Sequence, residues 1–400
     1  MKTGFPQLEN LVIRRGLCTG CGSCVGVCPN GALEMTRVYG EPMPVCRDKC
    51  SECGICFRIC PGSDVPLLEL EKHFFGSNRN PTLTDLGFYR GSYVGYAGEE
   101  IIRIKGASGG VVTALLVHAL EKGIIDCAIV AGFNKEKPWL TEAKLAKSKK
   151  EIIDAAQSKY AVVPVNMLFR EAVKAGCQRV GIVGLPCHIH AVRKMQYYDI
   201  PRDIAGKIKL TIGLFCASQF YFEGTRHILV EWCGVDDMEE IANLEYRGGE
   251  WPGHFVVKLH SGETITIDRH RYVYHMLMPN YKRDRCEMCI DWSSELADIA
   301  VGDYWATPTI GDSFSGTSAL LVRSLTGEEL IKSAVEEKVL YLEVLEPEKL
   351  CSGVGFEMKK HGAAFRLAQR QQFGWPTPNY HMKVDYTPFF REFHMAPEKK

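Results

Sequence analysis

Eight of the seventeen cysteines fall into two runs of one pattern. The first reads C-x2-C-x2-C-x3-C-P, with Cys18, Cys21, Cys24 and Cys28 ahead of Pro29. The second repeats it as Cys50, Cys53, Cys56 and Cys60 ahead of Pro61. A cubane of iron and sulfide needs a thiolate at each of its four corners. Three cysteines at x2 intervals wrap one such cluster, and the fourth of each run reaches across to the other. The pattern therefore predicts one cluster on Cys18, Cys21, Cys24 and Cys60, and a second on Cys50, Cys53, Cys56 and Cys28. Gly20, Gly22 and Gly54 let the backbone turn tightly around the inorganic core. Each proline after a fourth cysteine stops a helix from running on through that thiolate.

Zinc is the competing use of C-x2-C pairs, but zinc sites usually join two pairs over a longer loop. Here three cysteines sit at x2 intervals, twice. A disulfide framework belongs to small secreted chains, which this one does not resemble. The chain is thus expected to open on a bacterial-type two-cluster ferredoxin module. With its linker, that module spans residues 1–80.

Four hundred residues imply two or three domains with room for a buried core. Formal net charge is zero, and no basic stripe alternates with aromatics, so nucleic acid is not an expected partner. Many cysteines behind a start, MKTGFPQLENLVIRRG, that lacks an export-length apolar core fit a reducing, cytoplasmic setting. No segment approaches about 18 uninterrupted apolar residues, so no span is expected. Peripheral docking on a membrane complex would need a partner.

The rest of the chain must supply what the electrons come from. FFGSNRNPTLTDLG (Phe74–Gly87) reads as a sparse linker. Beyond it, helical periods alternate with β-branched runs: the helix GGVVTALLVHALEKG (Gly109–Gly123), the strand IIDCAIVAG, the helix VNMLFREAVKAG, the strand RVGIVG, the helix HIHAVRKMQYY and the strand KIKLTIGLF. That order predicts a mostly parallel α/β sheet. HFVVKLHSGETITID then reads as a hairpin turning at Ser261-Gly262. ADIAVGDYW, SALLVRS and VLYLEVL read as strands, with EELIKSAVEEK a helix before the last, so α+β texture continues the unit over residues 81–350. Residues 351–400, with a basic helix around Lys359–Gln372, read as a wrapping arm.

Successive parallel strands joined by right-handed crossovers put their C-terminal ends on one sheet edge. Cys187 follows RVGIVG and Cys216 follows KIKLTIGLF, so both are expected on that edge, where open α/β sheets bind ligands. Cys286 and Cys289, in RDRCEMCID, would complete four thiolates. On spacing alone, ordinary burial of Cys187 and Cys216 as small hydrophobes stays open. Cys127, Cys177, Cys233 and Cys351 sit singly and read as packing; Cys46 exceeds the eight ligands needed.

Ser108, Gly109 and Gly110 precede a helix whose N-terminus would receive a phosphate, although a simple cap and turn uses the same residues. Ser158, Lys159 and Tyr160 offer a hydroxyl, a cation and an aromatic face before another helix. Asp303, Tyr304 and Trp305 end a strand. Each has a plain packing alternative, but together they mark a nucleotide cleft at βα junctions.

The ordered set SGGVVTALLVHALEKGIID, SKY, VGIVGLPCHIHAVRK, the strand into Cys216, CEMCID, ADIAVGDYW and GTSALLVRS resembles the beta-subunit family of coenzyme F420 hydrogenases and dehydrogenases. The likeness covers nearly everything after about residue 90. It implies FAD, a third four-iron cluster on Cys187, Cys216, Cys286 and Cys289, and hydride exchange with the deazaflavin coenzyme F420. Ser108, Gly109, Gly110, Thr113, Ser158, Lys159, Tyr160 and Asp303 would then line the flavin site. Many deazaflavin-using members carry Asp where this chain has Ser108. The fused two-cluster module resembles membrane dehydrogenases that oxidise reduced F420, and the beta subunit of F420-dependent formate dehydrogenases. The partner implied is a redox subunit of such a complex or a ferredoxin-like carrier. Lys282 and Arg283, with Arg285, would meet the coenzyme's anionic tail. Two further readings are a ferredoxin-linked reductase of another organic substrate and a pure electron-transfer subunit.

Overall fold

The computed structural model describes residues 3–77, 79, 84–306, 310–311, 316–354 and 356–388. Thirteen strands occur among them. They are β1 (Leu33–Val38), β2 (Glu41–Cys46), β3 (Gly91–Ala97), β4 (Cys127–Phe133), β5 (Thr141–Ala146), β6 (Val180–Gly184) and β7 (Ile208–Leu214). There follow β8 (Ile241–Gly248), β9 (His254–Leu259), β10 (Thr264–Ile267), β11 (Ile299–Asp303), β12 (Ser318–Val322) and β13 (Leu340–Val344).

Eight strands form one sheet in the order β13-β3-β12-β11-β7-β6-β4-β5. Its heart is parallel: β11 on β7, β7 on β6, and β6 on β4. The flanks are antiparallel, through β4–β5, β11–β12, β12–β3 and β3–β13. The mostly parallel sheet expected from the sequence is therefore a mixed one with a parallel centre. All five residues of β6, VGIVG, are buried, as a run without alternation must be when helices cover both faces. The helices Val111–Glu121 and Pro186–Tyr198 supply two of those covers. The hairpin expected at Ser261-Gly262 is β9–β10, extended by the antiparallel β8.

The cysteine-rich module is one hairpin, β1–β2, and two single-turn helices, Ser23–Gly26 and Ile55–Arg58. It does not stand apart. Val27 and Ile59, both fully buried, share an apolar cluster with Val163, Phe169 and Ile182 of the sheet unit. Gly26 passes so close that an added Cβ would lie 2.0 Å from the Asn166 carbonyl.

The linker reading of Phe74–Gly87 fails for the same reason. Phe74 and Phe75 close the helix Leu67–Phe75. Arg79 pairs with Glu71 at 2.8 Å and Glu295 at 2.9 Å, and Leu86 is fully buried. Residues 78 and 80–83 of that stretch lie outside the described residues. Two buried ion pairs are a dense connection, and local composition is blind to partners more than 200 residues away.

The basic helix expected near Lys359 is Phe356–Gln372. It is strapped down by Lys360 to Glu295 at 2.5 Å and His361 to Asp85 at 3.0 Å. The Cys351 side chain and residues beyond 388 lie outside the described residues. Among the described residues, no helix is long and apolar enough to cross a membrane.

Candidate functional site

Glycines in the left-handed region start both single-turn helices of the cysteine module. Gly22 (φ 82°) precedes Ser23 and Gly54 (φ 78°) precedes Ile55. Each turn follows the first two cysteines of its run and carries the third, Cys24 or Cys56. Cys18, Cys21, Cys24 and Cys60 line one recess, together with Leu8, Val12 and Met35. Cys56 lies within electrostatic reach of Cys53, Cys50 and Cys28. The fourth cysteine of each run thus joins the other run's three. Burial raises the Cys56 and Cys60 thiols to about 12, helped by the neighbouring thiols. Such a thiol ionises only beside compensating positive charge.

A third recess is lined by Cys187, Cys216, Cys286 and Cys289. Pro186 opens the helix after β6, which carries Cys187 into the site; Cys216 lies just past β7. Both stand on the C-terminal edge of the parallel strands. Burial and the other thiols push Cys187 well up, while burial raises Cys216 and Cys289.

Tetrahedral zinc with bonds of about 2.3 Å holds its thiolates about 3.8 Å apart. Among the described residues, the one trio of His, Cys, Asp or Glu ligand atoms mutually within 4.8 Å is Asp126, Cys127 and Cys177. No three thiols of any four-cysteine set are that close. The thiols of each set are therefore not gathered tightly about a single ion, and amides point at several sulfurs. Gly20 N donates to Cys18 Sγ at 3.4 Å, Gly62 N to Cys60 Sγ at 3.3 Å, and Glu52 N to Cys50 Sγ at 3.4 Å. In the third recess, Gln219 donates through its backbone to Cys286 and through its side chain to Cys187, both at 3.4 Å. Amide-to-sulfur hydrogen bonds are a standard means of stabilising such clusters.

The sets also form a line. Cys24 of the first set feels Cys56 of the second, and Cys187 of the third feels Cys21 of the first. Thr19 borders both the first and the third recess. At the far end of the line, Cys53 is exposed.

A cleft of about 770 Å³ opens on the same sheet edge, inside the range of nucleotide and cofactor pockets. Gly106, Ala107 and Gln157 border one side; Arg247 and the loop Gly249–Gly253 border the other. Arg247 is buried, pairs with Asp303 at 2.5 Å and donates from Nε to Pro252 O at 2.9 Å, but one guanidinium nitrogen has no partner. A buried, Asp303-paired guanidinium with one nitrogen left without a hydrogen-bond partner among the described residues, stacked on Trp251 at 4.8 Å beside a cleft of this volume, could meet an anionic group of a cofactor such as a dinucleotide. Phe133, at the end of β4, forms part of the wall. Behind it runs an aromatic series: Phe133 to Tyr246 (6.2 Å), Tyr246 to Tyr160 (5.4 Å) and Tyr160 to Phe220 (6.2 Å). Phe220 adjoins Gln219, the donor to two sulfurs of the third set.

The sequence-selected residues divide accordingly. Ser108 Oγ bonds Ser318 Oγ at 2.9 Å, and Gly109 packs on β3, where an added Cβ would meet the Gly95 carbonyl at 2.5 Å. Gly110 (φ 74°) starts the helix Val111–Glu121, which has no side-chain cap, and Thr113 is buried in its first turn. None of these four borders the cleft directly; Gly106 and Ala107 do. Ser158 is half-buried. Lys159, lowered to about 7 by burial, donates to the carbonyls of Ala155, Ala156 and Gln157, and so closes a helix end. Asp303 reaches the cleft through Arg247.

Lys282 and Arg283 are placed elsewhere. Lys282 lies 3.6 Å from Glu287, and Arg283 is buried with its amines on the carbonyls of Thr19 (2.8 Å) and Cys18 (3.2 Å). Arg285 likewise holds Tyr380 and the Pro61 carbonyl. These arginines tie the cysteine module to the third recess: the Arg283 amines sit on backbone carbonyls and the Arg285 amines on the Pro61 carbonyl and the Tyr380 hydroxyl, while Nε of each has no hydrogen-bond partner among the described residues. Sequence reading missed Arg247, Gln219 and Lys359, whose ammonium meets the Cys286 carbonyl. Only GGEWPG, a glycine-rich turn between two strands, could have pointed to the Arg247 region.

Comparison with known proteins follows this division. Residues 92–170 and 177–348 match the N-terminal and C-terminal models of the coenzyme F420 hydrogenase/dehydrogenase beta subunit, and residues 11–34 match a 4Fe-4S binding domain. The chain is 32% identical over 253 residues to the beta subunit of coenzyme F420 hydrogenase from Methanosarcina barkeri, covering 63% of this chain and 80% of that one. It is 26% identical over 366 residues to one component of the F420H2 dehydrogenase of Methanosarcina mazei, covering 88% of this chain and 92% of the other. Among solved structures, a chain of the F420-reducing nickel–iron hydrogenase complex of Methanosarcina barkeri superposes with a TM-score of 0.61 at 27% identity. That match covers 76% of this chain and all of the other.

Proposed function

Because the chain belongs to the coenzyme F420 hydrogenase/dehydrogenase beta-subunit family, we propose that it is the coenzyme-facing subunit of a larger redox assembly. A flavin bound in the cleft would exchange hydride with F420, and three four-iron clusters would carry single electrons between it and a partner. The observation that carries this reading is continuity. Cleft, aromatic wall, third thiol set, first set and second set are neighbours in turn, and the second set includes exposed Cys53.

The residues have separable tasks. Arg247 offers its free nitrogen to an anionic group, and the Gly249–Gly253 loop lets backbone approach it closely. Phe133 and Tyr160 exclude water between the cleft and the thiols. Gln219 steadies two sulfurs of the third set. Residues 1–80 act as the electron port, 81–350 as the cofactor unit and 351–400 as an arm, of which Lys359 and Tyr380 border the third recess. The partner, a redox subunit or a small ferredoxin-like carrier, would dock at the Cys53 face.

Anaerobically purified protein should hold about 12 iron and about 12 acid-labile sulfide per chain, four of each per cubane. Reduced F420 should bleach the bound flavin rapidly and NADH should not. Zinc without sulfide, or bleaching by NADH alone, would sink the proposal.

Arg247→Lys keeps a cation beside Asp303 but removes the unpaired nitrogen. A charge-assisted hydrogen bond of about 1.5–3 kcal/mol is lost, so flavin retention should weaken roughly tenfold to a hundredfold. Iron should stay at its native level. Released flavin, quantified per iron, checks this; an unchanged ratio would remove Arg247 from the cofactor site.

A further inference from the structure

Two thiol sets meet at one side chain. Arg283 is 7% exposed, and its guanidinium donates to the Thr19 and Cys18 carbonyls inside the first set's loop. Its own carbonyl accepts the Cys286 amide at 2.8 Å, inside the third set's loop. Gly20 is hemmed in by it and by Val162: an added Cβ would stand 2.8 Å from an Arg283 amine and 2.7 Å from Val162 Cγ1, at a φ of 72°. A permanent cation, poor in water contacts, thus ties together the two loops between which an electron must cross.

We infer that Arg283 is a positioning residue for electron transfer: it fixes the first and third thiol sets against each other, and its charge favours the reduced form of the first. This rests on the relay proposed above. A four-iron cluster held by Cys18, Cys21, Cys24 and Cys60 would gain one negative charge for each electron it accepts. No bond and no proton moves in that step. Two other buried cations touch this set: Lys194 reaches the Cys60 carbonyl at 2.9 Å, and Arg285, which also lines the third recess, donates to the Pro61 carbonyl at 3.1 Å, but the Arg283 amines sit on the Cys18 loop itself. Low dielectric makes a fixed charge at this distance count for far more than one in water.

The test is an anaerobic redox titration of the full-length holoprotein followed by electron paramagnetic resonance. The first set's signal is identified as the one altered in Cys24→Ser. Arg283→Gln should lower that potential by the equivalent of tenfold or more in electron partition, about 59 mV for a one-electron couple. Arg283→Lys should restore most of it. Loaded Arg283→Gln protein with the native potential would overturn the inference. If Arg283→Gln fails to assemble its clusters, Arg283→Lys decides alone: native potential supports the inference, and a fall of tenfold or more in partition overturns it. Failure of the relay itself reads differently, as wild-type protein lacking a reducible cluster altered by Cys24→Ser.

Discussion

Replacing Cys286 with serine will stop electron delivery while leaving the coenzyme reaction intact. The third set stands between the aromatic wall and the first set, with Gln219 touching Cys286 and Cys187. Without its cluster, an electron would have to leap from the cleft to the Cys18–Cys24 loop. Iron should fall from about 12 to about 8 per chain, one cubane lost. Flavin should remain and should still be bleached by reduced F420, because Arg247 and the Gly249–Gly253 loop are untouched. Reduction of a one-electron acceptor should drop to background. Stopped-flow spectra at flavin and cluster wavelengths separate the two steps. Wild-type onward transfer in this variant would make the Cys286/Cys289 pair structural and the electron path wrong.

What the sequence made legible follows from the range of the forces involved. The crossed sets of the two cysteine runs were readable because a cubane imposes short, fixed spacings. Cys187 and Cys216 were readable because right-handed crossovers force the ends of β6 and β7 onto one edge. Long-range partners were not readable. Nothing local says that Arg283 spends its donors on carbonyls 264 and 265 positions away, or that Glu295 receives both Arg79 and Lys360. The Ser-Gly-Gly segment misled in a different way. Its small residues answer to the close approach of β3 and β12, so they border the cleft only through Gly106 and Ala107. The antiparallel strands β3, β5 and β8 went unread because they draw their pattern from neighbours remote in sequence.

Deleting residues 1–80 will yield aggregated protein, contrary to what the linker composition implies. Water can rehydrate Arg283, Arg285 and Lys194 once their module-side carbonyls are gone, so lost polar contacts alone do not decide the outcome. The apolar face does. Val27 and Ile59 cover Val163 and Phe169, while Leu67 and Leu70 cover Ile189, Leu296 and Tyr380; all four covering side chains are fully buried. At about 1.5–3 kcal/mol per buried aliphatic side chain, their removal forfeits roughly 6–12 kcal/mol. A whole domain is stable by about 5–15 kcal/mol. The loss is therefore comparable to the entire margin, and the uncovered patch is itself a surface for self-association. Gel filtration of the truncated chain should show large aggregates or no soluble protein. A monodisperse flavoprotein carrying four iron per chain would show instead that the sheet unit stands without the module and that these contacts are dispensable.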